Sequence, residues 1–104
     1  MSTREFTLKI GGIPYLVSRV PVGTVATGDS QPWGTFDSTN HTLRYEDHPI
    51  PERALRTFLH EVLHGIAFEY GIRELLGKGE EYPIDQLALG LSEVLGGLGA
   101  ELPA

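Results

Sequence analysis

The chain has 104 residues, 40% of them hydrophobic and 21% charged, with a net charge of −6 and no cysteine. That length suits one domain over residues 1–104 with a real but modest core, and the acidic balance gives no support to nucleic-acid or membrane-surface binding, which want a basic patch. Disulfides and thiolate metal ligands are excluded, so any zinc must be held by His, Asp, Glu and water. No apolar run is long enough to cross a bilayer, and Met1 to Phe6 lacks the apolar core of a signal peptide. A cytoplasmic location is the expectation.

Phe6, Leu8 and Ile10 alternate with Thr7 and Lys9, the period-two pattern of a half-buried strand. Gly11-Gly12 supplies a turn, and Ile13 to Val20 reads as a second strand with Pro14 at its start. The two form a hairpin. Pro21 to Pro32 reads as a polar loop without a phosphate-binding motif. Extended structure resumes at Trp33 to Asp37, turns at Ser38-Thr39-Asn40, and returns as a strand over His41 to Glu46. Trp33 is taken as a core or rim aromatic. The edge of this second hairpin could pair with an extended peptide.

A helix is expected from Pro51 or Glu52 to about Tyr70, with Gly71 as its C-cap. Ile72 to Leu76 is a short helical or irregular piece, broken at Gly77-Lys78-Gly79. A second helix runs from Glu80 or Glu81 to Leu95, with Pro83 in its first turn. Ile84, Leu87, Leu91, Val94, Leu95 and Leu98 recur at helical spacing, and that face is expected to pack on the first helix. The tail from Gly96 to Ala104 is glycine-rich and expected to fray. The fold class is α+β: a small antiparallel β region of two hairpins packed on two principal helices.

The first helix contains His60-Glu61-Val62-Leu63-His64, the pattern H-E-x-x-H. Side chains four apart share a helix face, so His60 and His64 can present two imidazole nitrogens to one metal ion. Zinc suits such a pair. Glu61 lies about 100° further round the helix, where its carboxylate can take the proton of a water activated by the metal without being a ligand. The residues around the motif, Leu55, Phe58, Leu59, Val62, Leu63, Ile66, Ala67 and Phe68, are apolar. Ionisable groups in such a helix need partners. Gly65 reads either as a tolerated helical glycine or as a point where another element approaches closely.

A two-histidine site needs a third protein ligand. Glu80, Glu81 and Asp85 are candidates on the second helix, with a mild preference for the two glutamates, while Glu93 points away and is solvated. Asp85 is also a candidate to orient a ligating histidine through its other ring nitrogen, and Glu69 reads as a solvated helix charge. His41 and His48 read as surface or turn histidines. Tyr45, Tyr70 and Tyr82 could donate to an oxyanion, though tyrosines at such positions more often pack.

The stretch from Thr57 to Ile66 followed by Glu81-Tyr82-Pro83-Ile84-Asp85-Gln86-Leu87-Ala88 resembles the zincin metallopeptidases of the glutamate-liganded (gluzincin) branch, in particular small phage and prokaryotic proteins related to ImmA/IrrE. Those carry a second-helix pattern E-x-x-A-[N/D]-x-F-A. Glu81 matches its glutamate, Asp85 the N/D position and Ala88 the final alanine, while Ile84 and Leu87 depart from it as one apolar residue for another. The resemblance covers roughly the C-terminal half. It implies a minimal zincin fold, a zinc cofactor and Glu81 as the third ligand beside His60 and His64.

The expected function is therefore zinc-dependent hydrolysis of peptide bonds in a peptide or protein substrate, with Glu61 as general base. The alternative is a metal-binding structural or regulatory module, such as a phage accessory protein. The retained Glu61 argues against that alternative, because a structural site has no need of a base.

Overall fold

In the computed structural model, residues 4–25, 33–74, 79–99 and 102 are described. The expected loop after Val25 and the piece before Gly79 lie largely outside these residues. β1 (Arg4–Ile10) and β2 (Ile13–Val20) pair antiparallel with Ile10 opposite Ile13. Only two residues, Gly11 and Gly12, remain for the turn. Both have positive φ, 60° and 80°, the conformation a tight hairpin turn demands and glycine adopts without strain. β3 (Gly34–Asp37) and β4 (Thr42–Glu46) form the second antiparallel hairpin. Its turn is held by Asp37, whose Oδ1 accepts from the Thr39 and Asn40 backbone N–H groups and whose Oδ2 accepts from the Asn40 side chain. Asn40 thereby holds the Asp37 carboxyl below its ordinary pKa.

The two hairpins are antiparallel as expected, but β2 and β4 join them in parallel. The sheet is mixed, in the order β1-β2-β4-β3. Local turn chemistry specifies each hairpin; the join between them depends on the long connection from Val20 to Gly34, which carries no such signal. Tyr15 and Val17 of β2 and Leu43 and Tyr45 of β4 are fully buried on the face that meets the first helix. Val17, Leu43 and Tyr45 form a core cluster with Phe58, on which Phe6, Leu8, Leu59, Val62 and Leu102 pack. Leu102 belongs to the tail expected to fray, of which Gly96 and Gly97 instead continue the second helix and residues 100, 101, 103 and 104 lie outside the described residues.

α1 (Pro51–Glu69) opens with proline in its first turn, where the missing N–H costs nothing. It ends in a Schellman motif: the Ile72 N–H donates to the Ala67 carbonyl and the Gly71 N–H to that of Phe68, with Gly71 at φ 66°. Ala54, Phe58, Glu61 and Gly65 are buried along the side that meets the sheet. A Cβ on Gly65 would lie 2.9 Å from Ile10 Cδ1 and 3.2 Å from Phe36 Cε1. Gly65 thus serves close approach, with the sheet as the approaching element. Glu69, expected in solvent, instead accepts a hydrogen bond from the Tyr15 hydroxyl. Burial and the Glu69 carboxylate push the Tyr15 pKa up to about 12.

α2 (Glu81–Gly97) packs on α1 through a different face from the one expected. Ile84 and Ala88 are buried, but Leu87, Leu91, Val94 and Leu98 are 52%, 39%, 59% and 77% exposed. The polar residues explain the rotation. Glu81 and Asp85, four apart, both reach histidines of α1, so Ala88, one turn on, must face α1 as well. The small Ala88 lets the helices approach, and the leucines turn outward. No helix among the described residues is long and apolar enough to cross a membrane.

Candidate metal centre

His60 and His64 stand one turn apart on the side of α1 that faces α2. Their Nε2 atoms are 3.1 Å apart. Glu81 brings one carboxylate oxygen to 2.5 Å from His64 Nε2 and the other to 3.2 Å from His60 Nε2. These three residues could hold a metal ion. Ligands on a tetrahedral zinc with bonds of about 2.0 Å lie roughly 3.3 Å apart, close to two of the three spacings here, while Glu81 and His64 stand closer.

The opposite ring nitrogens are also engaged. His60 Nδ1 is 3.1 Å from Asp85 Oδ1, and His64 Nδ1 is 3.1 Å from Glu80 Oε2. Glu80 in turn accepts a 2.9 Å hydrogen bond from Arg73 Nε. A carboxylate opposite Nδ1 favours the tautomer with the proton there and the Nε2 lone pair bare. With that tautomer, the two Nε2 lone pairs and the Glu81 carboxylate would converge on one bound ion. The donor set fits a divalent ion. Burial pushes the Glu80 carboxyl up, but Arg73 and His64 more than offset this, and its pKa lies below the ordinary value.

The three acids that the sequence leaves open as third ligand thus separate by position. Glu81 faces both Nε2 atoms, Asp85 backs His60, and Glu80 backs His64. His41 and His48 stay apart from this group: His41 packs against the Tyr15 ring, and His48 against Trp33. Tyr45 is buried in the core, while Tyr70 and Tyr82 are 64% and 73% exposed.

Glu61 points from the same turn of α1 toward the sheet and is only 8% exposed. Burial raises its pKa to about 7; His64 opposes the shift and Glu81 adds to it. β3 covers it. A Cβ on Gly34 would fall 2.8 Å from Glu61 Cγ, 2.9 Å from Thr57 Cγ2 and 3.0 Å from the Arg44 carbonyl oxygen. Only glycine lets the strand run this close. Among the described residues β3 is also the outer strand of the sheet, with β4 as its one neighbour, and its Gly34 lines the cleft, so the expected strand does flank it.

A cleft of about 590 Å³ opens over the site, lined by Trp33, Gly34, Arg53, Arg56, Thr57, His60, Glu61, His64, Glu81 and Asp85. A second hollow of about 450 Å³ continues past Glu61, His64 and Glu81 toward Phe36, Phe68 and Arg73. Trp33 stands at the rim, within the expected reading. The roles of Gly34, Arg53, Arg56 and Arg73 have no local signature, since glycine in a strand and arginine on a helix are ordinary. The helical spacing of 53, 56 and 60 could have placed the two arginines on the histidine side. No protein-family model, curated protein or solved structure matches the chain.

Proposed function

We propose that the protein is a zinc-dependent peptidase working in the cytoplasm on a peptide or protein substrate. The observation that carries this reading is the division of labour among four acids around two histidines. Glu81 shares the centre with His60 and His64, Asp85 and Glu80 stand behind the rings, and Glu61 is kept out of the ligand set. Three protein ligands leave one position of a tetrahedral ion for water or substrate, as catalytic sites do. A purely structural site has no use for the buried Glu61 carboxyl beside it.

Zinc, when bound, would activate the attacking water and polarise the substrate carbonyl. Glu61 takes the proton of that water on its carboxylate and passes it to the leaving amine. In the metal-free protein burial holds this carboxyl above its ordinary pKa, and a bound dication would favour the ionised form that accepts the proton. Gly34 lets β3 lie beside Glu61, so an extended substrate could bond to the strand edge with its scissile carbonyl near the metal.

The test is metal content followed by turnover. Purified protein should hold about one zinc per chain, and a His60→Ala, His64→Ala double variant should hold none. Zinc-loaded wild type should cleave members of a mixed peptide library, and Glu61→Gln should keep zinc and lose cleavage. Turnover retained by Glu61→Gln, or absence of zinc after reconstitution, would overturn the reading.

A further inference from the structure

We infer that the cleft selects peptides with a carboxylate two or three residues from the scissile bond, held by Arg53 and Arg56. This inference rests on the peptidase reading and names its substrate class. The chain carries 14 acidic residues against 8 lysines and arginines, yet two of those arginines line the cleft beside the metal ligands. Neither is held in a close ion pair among the described residues. Arg73 is taken up by Glu80 at 2.9 Å. Among the described residues Arg56, by contrast, reaches only Asp85, at 4.0 Å, and that same oxygen lies 3.1 Å from His60 Nδ1. No acid pairs with Arg53 among the described residues. Its guanidinium lies over the Trp33 ring, 5.6 Å from the centroid, which steadies the planar group while leaving its edge N–H donors free.

The spacing sets where the carboxylate sits. Arg56 and Arg53 precede His60 by four and seven residues, about 6 and 10 Å along the helix axis at 1.5 Å per residue. An extended peptide advances about 3.3 Å per residue. A peptide running along α1 with a carbonyl at the metal therefore places the side chain or chain end two or three residues away beside the arginines. A guanidinium binds a carboxylate through paired, charge-assisted hydrogen bonds, which an uncharged amide cannot match. The carboxylate can come from a glutamate side chain or from the substrate's own C-terminus.

The test uses zinc-loaded Glu61→Gln protein, which binds without turnover. Acetylated, amidated alanine hexapeptides carrying one Glu at each position in turn are titrated against their Gln twins, read by the fluorescence of Trp33, the only tryptophan. A Glu peptide at one or two neighbouring positions should bind about tenfold tighter than its twin, the size of one charge-assisted hydrogen bond. Adding Arg53→Gln and Arg56→Gln should abolish that gain while leaving zinc content and binding of the Gln peptides in place. A Gln peptide with a free C-terminus that recovers the gain identifies the chain end as the source; an internal Glu that suffices identifies the side chain. Equal binding of Glu and Gln peptides in the arginine-intact protein, no binding of either, or a gain that survives loss of both arginines overturns the inference. The tightest peptide is then offered to zinc-loaded wild type: binding without cleavage overturns the peptidase reading alone.

Discussion

Removing the charge from Glu61 should make the metal-free protein more stable at neutral pH, by an amount that depends on pH. The carboxyl is 8% exposed and its pKa rises from 4.5 to about 7, chiefly through burial. Between these values the folded chain holds a proton on Glu61 that the unfolded chain has released. Stability falls with rising pH wherever the folded state binds more protons, so the loss begins near pH 4.5 and is complete just above pH 7. A difference of about 2.5 pKa units at 1.36 kcal/mol each amounts to about 3 kcal/mol. Glu61→Gln keeps the shape and carries no charge at either end of that range. The assay is urea unfolding of both proteins in a chelator at intervals from pH 5 to pH 8. Between pH 5 and pH 8 the variant should gain about 2.5 kcal/mol over wild type, the remainder of the loss falling below pH 5. Saturating zinc should flatten the wild-type slope, because a nearby dication favours the ionised carboxylate. A wild-type-to-variant difference that stays constant across the range, or grows toward acid, would refute the argument that Glu61 is held in a desolvating pocket.

Glu81→Ala should weaken zinc binding by more than 100-fold, whereas Asp85→Ala and Glu80→Gln, which act through the far nitrogens of the histidines, should cost about 10- to 100-fold; competition titration with a chromogenic chelator checks the order, and a larger loss for Asp85→Ala would move the third ligand there. Gly34→Ala should destabilise the fold by about 1–3 kcal/mol, because the added methyl meets the Arg44 carbonyl as well as Glu61 and Thr57; an unchanged urea midpoint would show that the strand can retreat freely. Ile84→Ala should cost about 2–5 kcal/mol, while Leu98→Gln should stay within about 0.5 kcal/mol. Thermal unfolding of the two variants tests which face of α2 packs on α1.

Much of the local structure is legible from residue pattern. Alternation in Phe6, Leu8 and Ile10 and the Gly11-Gly12 pair specify the first hairpin, since the strand period is two and only glycine takes both positive-φ positions without strain. The spacing of His60, Glu61 and His64 specifies which groups share a helix face, because 3.6 residues per turn leaves no choice once the helix forms. Apolar neighbours and Gly71 mark the extent of α1 for equally local reasons. Contacts between elements are another matter. The parallel pairing of β2 with β4, the rotation of α2 that exposes Leu87 and Leu91, and the separate places of Glu80, Glu81 and Asp85 all depend on residues far apart in the chain. An amphipathic pattern tells which residues could be buried. The need to bring Glu81 and Asp85 to the histidines decided which ones are, and the same docking of strand on helix turned Gly34 and the two arginines, unremarkable in sequence, into the walls of the cleft.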